Sequence, residues 1–168
     1  MLKFCQWLGD TPWSVALHES LWAYPIVESV HVLTLCLFLG LAVMLDLRLL
    51  GVSFTRMPVS QISRRLLPFT MTGFAVMVIS GSLLFYAIPV KTYLNIFFRI
   101  KVATLIMAGI NAAVFHSTME KHMSQWENDV KPPLRARWAG GLSLFFWAVI
   151  VVAGRLIAYN WWEDPSLH

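Results

Sequence analysis

The sequence predicts an all-α integral membrane protein, a four-helix bundle preceded by a short interfacial helix. Three observations carry that prediction. Hydrophobic residues make up 58% of the 168 and charged residues only 13%, with a mean hydropathy of +0.64, far more apolar than a soluble domain. The apolar residues gather into four runs, each near the roughly 20 residues that a bilayer-crossing helix requires. Between runs, lysine and arginine concentrate on alternate connections, as they do where loops stay on one side of a membrane.

Taken in order, the amino-terminal MLKFCQWLGD lacks the long apolar stretch and small-residue cleavage pattern of a secretory signal peptide, so the first span is expected to direct insertion. Asp10, Thr11, Pro12 and Trp13 then form a helix-start signal, a capping side chain followed by proline where its missing N–H is harmless. The helix they start, over residues 12–22, sets Trp13, Leu17 and Leu21 on one side and is expected to lie at the interface until Pro25 redirects the chain. Its His18 faces a wet surface or returns over the bundle.

The four spans are expected at 25–45, 67–89, 93–116 and 138–161, forming one transmembrane domain over 1–168. Asp46, Arg48 and Gly51 close the first. Gly73, Ser80, Gly81 and Ser82 in the second permit close approach by another helix or by a flat ligand, packing being the expected use. Arg48, Arg56, Arg64 and Arg65 load the first connection, and Lys121, Lys131, Arg135 and Arg137 the third, against Lys3 and Lys91 on the opposite side. Both termini should therefore face outward, which in a bacterial inner membrane is the periplasm, with Trp13, Trp22, Trp161 and Trp162 in the outer aromatic belt. The basic residues lie at span ends and not on a basic aromatic surface, which excludes nucleic acid as a partner. Cys5 and Cys36 are too far apart along this topology to suggest a disulfide.

Ionisable residues inside spans are costly to bury and mark pairing or function. Glu28 and His31 share a helix face in the outer half of the first span. The topology sets Arg99 and Lys101 of the third span, Arg155 and Tyr159 of the fourth and Tyr86 of the second at similar depth, so the sequence predicts convergence on an enclosed polar site. A b-type haem suits this set: neutral histidine supplies an axial nitrogen, and propionates favour cationic partners. His31 fills the first role and Arg99, Lys101 and Arg155 the second, with His18 as a candidate second ligand. Copper, held by His31, His18 and sulfur, is the alternative ligand. A purely structural alternative pairs Glu28 with Arg155 or Lys101 and locks the helices. On the inner side Asp46, Arg48, Asn111 and His116 form a looser group, where a second haem would sit.

The pattern LWAYPIVESVH, followed by Gly40 and LDLRLLG, resembles a family of four-span bacterial membrane proteins, a domain of unknown function, over almost the whole chain. More distantly, the span-one histidine and the lysine of FFRIKVATLIMAGINAAVFH resemble CopD-type copper-resistance membrane proteins and HemJ-type protoporphyrinogen oxidases. The distant resemblance implies a haem-binding or redox-related bundle, with His31, Lys101 and His116 at the matching positions. The tryptophan- and arginine-rich continuation of the HemJ-type first span is missing.

The expected function is therefore electron transfer by a multi-pass protein of the bacterial inner membrane, as a subunit or partner of a redox complex more than as a stand-alone enzyme. Its expected partners are the lipid bilayer, a quinone or periplasmic electron carrier, and other membrane subunits or further copies of itself. A copper-handling protein and a cofactor-free structural subunit are the alternatives.

Overall fold

The computed structural model describes residues 1–159, apart from the side chains of Glu120 and Lys121. Trp161 and Trp162, expected in the outer aromatic belt, lie outside the described residues, and the fourth span ends as a helix at Leu156, with residues 157–159 non-helical, short of the expected 161. Helices α1 (Leu2–Gly9), α2 (Pro12–Glu19), α3 (Ala23–Leu50), α4 (Val59–Ala87), α5 (Pro89–Leu94), α6 (Ile96–Thr118) and α7 (Leu134–Leu156) follow one another, with a 3-10 turn at Glu120–Gln125. Helices α3, α4, α6 and α7 are long and apolar enough to cross a membrane, and most of their surface faces outward as it must in lipid.

The spans begin and end where their local chemistry dictates. Gly51 ends α3 at φ +73°, with its N–H on the Arg48 carbonyl and the Val52 N–H on the Leu47 carbonyl. A Cβ at Gly51 would also stand 3.0 Å from the Val130 carbonyl oxygen, so both conformation and space call for glycine. Pro25 does not redirect the chain as expected. It sits in the first turn of α3, where no N–H is required, and the bend falls before it, at residues 20–22. Helix α4 begins at Val59, two turns earlier than the apolar run, because the polar stretch through Arg65 stays helical outside the hydrocarbon. Likewise α7 begins at Leu134, earlier than 138. Residues 89–95 break the expected third span: α5 is a separate short helix, and Asn95 caps α6 by accepting the Phe97 N–H at 2.9 Å.

In cross-section the spans run α4, α3, α7, α6, with α3 packed between α4 and α7. Among the described residues the backbones of α4 and α6 do not approach closely, although Phe85 and Phe98 stack at 5.4 Å between centroids. Gly140 makes the α3–α7 crossing close, since a Cβ there would stand 2.9 Å from the Asp46 carbonyl oxygen.

Short helices cover one end. Helix α1 packs on α5, and α2 on α3 and α4. Thr11 does not cap α2 with its side chain. Its hydroxyl donates to the Leu8 carbonyl at 2.7 Å and accepts from the Tyr86 hydroxyl at 2.7 Å. Ser14, almost fully buried, donates to the Tyr86 carbonyl at 2.7 Å. Tyr86 thus anchors the amino-terminal helices instead of joining a polar cluster within the spans. Helix α2 stops at Glu19, short of the expected 22, so Trp13 faces outward on the helix and Leu21 faces outward in the bend after it.

Arg48 organises the opposite end. Its side chain is 0% exposed, and it donates from Nε to the Met57 carbonyl at 2.8 Å and from Nη2 to the Glu127 and Asp129 carbonyls at 3.1 Å each. Val59 N–H also donates to the Glu127 carbonyl at 3.1 Å. The two basic connections therefore meet at one end of the bundle. Leu49, Val59, Phe115, Met123, Trp126 and Ala136 form the core beneath them.

Candidate functional site

His31 lies half-buried on the face of α3 that meets α4. Its Nδ1 is 2.8 Å from the Ser80 hydroxyl oxygen, and the Ser80 hydroxyl is 2.7 Å from the Val76 carbonyl one turn earlier. A serine has one proton to give. With that proton on the Val76 carbonyl, Ser80 accepts from His31, which puts the imidazole proton on Nδ1 and the lone pair on Nε2. The sequence marked Ser80 and Gly81 as small residues for packing; the structure uses both against His31. A Cβ on Gly81 would stand 3.3 Å from His31 Cε1, so glycine lets the ring lie against the α4 backbone.

An apolar groove of about 200 Å³ adjoins this contact, lined by Ile26, Val27 and Val30 of α3 and by Val76, Ile79, Ser80 and Leu83 of α4. Ser80 is its one polar lining residue, and the exposed Ile26 and Ile79 open it toward the lipid side.

Lys101 approaches from α6. Its Nζ would stand 3.4 Å from a Cβ on Gly154, so a glycine in α7 makes room for the ammonium inside the bundle. The remaining predicted cations do not converge there. Arg99 is exposed, donates to the Tyr93 carbonyl at 3.2 Å and stacks over the Tyr93 ring at 5.2 Å. Arg155 is exposed, donates to the Tyr159 hydroxyl at 2.9 Å and covers that ring at 5.1 Å. Both adopt the local aromatic contacts that arginine favours near an interface. Glu28 is exposed and forms no ion pair with Arg155 or Lys101, so the helix-locking alternative lacks its central contact. His18 is exposed on α2, edge-on to Tyr24 at 6.4 Å, about two turns of α3 away from His31. The enclosed polar site expected from topology is thus reduced to His31, Ser80 and Lys101, because depth alone does not decide which way a side chain turns.

The inner group is likewise divided among separate contacts. Asp46 is buried in the α3–α7 contact, Asn111 donates to the Ala139 carbonyl at 2.9 Å, and Arg48 holds the connections. His116 is exposed near the end of α6, with its ring edge-on to Phe115 at 5.8 Å. Cys5 is buried and Cys36 exposed, and both are free. Among the described residues no three His, Cys, Asp or Glu side chains gather as a metal-binding set.

Fold and site together define a multi-pass membrane helical bundle with a histidine held between its first two spans and a lysine entering from the third. The chain belongs to DUF6644, a family of unknown function, whose profile matches residues 19–160. No curated protein and no solved structure matches it.

Proposed function

We propose that this protein binds b-type haem in the bacterial inner membrane, with both termini periplasmic, and transfers electrons as a subunit or partner of a redox complex. The observation that carries the reading is the contact of His31 Nδ1 with the Ser80 hydroxyl, which is backed in turn by the Val76 carbonyl. An imidazole whose Nδ1–H is committed to Ser80 presents a bare Nε2, the state in which histidine ligates a metal. Lys101 supports it, since an ammonium inside the bundle suits a propionate.

The residues fit a haem held by one protein imidazole. His18 stands too far along the bundle to share the site in this arrangement, and the second position would be left to a residue from another subunit, a solvent molecule or an exogenous ligand. Bound there, haem would supply one-electron chemistry. The protein's own part is to orient His31 through Ser80, to shield it with the apolar groove and to hold a compensating charge in Lys101. Copper has less support, because among the described residues no three His, Cys, Asp or Glu side chains gather around His31.

Sidedness rests on the basic residues. Arg56, Arg64, Arg65, Lys131, Arg135 and Arg137 belong to the end organised by Arg48, whereas Lys3 and Lys91 belong to the end covered by α1, α2 and α5. Optical spectroscopy of the purified protein and its His31→Ala variant tests the cofactor assignment.

A further inference from the structure

The end organised by Arg48 holds a second cavity, of about 180 Å³, between the first turns of α4 and the 3-10 turn, lined by Ser60, Ser63, Arg64, Met123 and Ser124. Ser63 is the informative residue. It is 8% exposed, its hydroxyl makes no hydrogen bond among the described residues, and its oxygen is not sealed off by surrounding atoms, so it opens into the cavity it lines. A serine buried in a helix ordinarily bonds back to a carbonyl one turn earlier, as Ser80 does. Ser63 instead keeps its donor for something in the cavity.

The surrounding groups share one preference. Of the first backbone N–H groups of α4, Val59 donates to Glu127, and Gln61 and Ile62 to Pro58, while Ser60 N–H has no acceptor among the described residues. The Ser60 and Ser124 hydroxyls and the Arg64 guanidinium have none either. Among the described residues no carboxylate lines the cavity. An open helix N-terminus of a 29-residue helix, three hydroxyls and a guanidinium around one space form a donor-rich pocket that suits an acceptor-only anion.

We infer that the N-terminus of α4 binds a phosphate group through Ser60, Ser63, Arg64 and Ser124. Depth favours a phospholipid headgroup as its source: the apolar run of α4 begins at about Leu67, one helical turn beyond Ser63, so the pocket stands where the hydrocarbon gives way to headgroups. Inorganic phosphate offers the same chemistry, and the two sources separate experimentally.

The full chain, purified and passed through phosphatidylglycerol nanodiscs, is examined by native mass spectrometry for retained lipid, and in detergent by ³¹P line broadening of inorganic phosphate. Retention of phosphatidylglycerol that phosphate does not displace identifies the lipid; broadening of phosphate alone identifies the free ion. In either case Arg64→Gln and Ser63→Ala should each weaken binding about tenfold, as loss of one charge-assisted or buried hydrogen bond to an anion requires, while Arg65→Gln, outside the cavity, changes it less than about twofold. Ser63→Ala removes a single oxygen and serves where Arg64→Gln does not fold. Absence of both ligands, or equal binding by Ser63→Ala and the unaltered protein, overturns the inference.

Discussion

Nδ1 of His31 in the first span lies 2.8 Å from the Ser80 hydroxyl of the second, and that hydroxyl lies 2.7 Å from the Val76 carbonyl of its own helix. This pair of contacts joins α3 to α4 and holds the imidazole by its Nδ1 edge. It also explains the use of Gly81, which lets the ring lie flat enough to reach Ser80.

Ser80→Ala removes the acceptor that fixes the ring. Partners in the shell behind a metal-binding histidine typically contribute about 10–100-fold to affinity, and haem affinity should fall by a factor in that range. Ser82→Ala is the control, since Ser82 bonds only to Val78 of its own helix. Haem titration of the two apoproteins checks the difference, and equal affinities would remove Ser80 from the site.

Gly140→Ala should destabilise the bundle by about 1–3 kcal/mol, because the added methyl meets the Asp46 carbonyl oxygen at 2.9 Å and the Leu49 Cβ at 3.0 Å. Backbone cannot yield there as a flexible side chain does. Gly109→Ala in α6 has nothing within 4 Å and should raise stability by up to about 1 kcal/mol through helix propensity. Thermal unfolding in one detergent compares both variants, which should shift in opposite directions.

Arg48→Met keeps the length of the side chain and removes the donors that hold Met57, Glu127 and Asp129. Buried hydrogen bonds to a charged group are worth about 1.5–3 kcal/mol each, and the variant should lose at least about 3 kcal/mol even after the loops relax. Limited proteolysis should cut residues 51–58 and 126–133 in the variant well before the unaltered chain. Unchanged protection would show that the connections hold without Arg48.

Much of the fold was legible because a bilayer imposes length and composition on each span, and those are properties of local sequence. The four long helices follow from the apolar runs, and Gly51 ends the first as its position suggested. Composition does not reveal where a helix continues into water, which is why α4 starts at Val59 and α7 at Leu134, before their apolar runs. Nor does it reveal partners from distant segments. Arg48 looked like a topology signal, yet it is buried and reaches carbonyls 9, 79 and 81 residues away. Tyr86 seemed available to the polar cluster until Thr11 and Ser14 claimed it. In the site, His31 and Lys101 stood out because charge in a span is rare, whereas Ser80 carried no such mark among the other small residues. Arg99 and Arg155 had the expected depth but turned toward Tyr93 and Tyr159, and rotation about a helix axis is not set by depth.

The reduced-minus-oxidised difference spectrum of the protein, purified after haem-replete expression, tests the central claim most directly. The account predicts b-type haem bands in the unaltered protein and their loss in His31→Ala, with the variant still folded by circular dichroism. A spectrum without haem bands, or bands unaltered in His31→Ala, would contradict it.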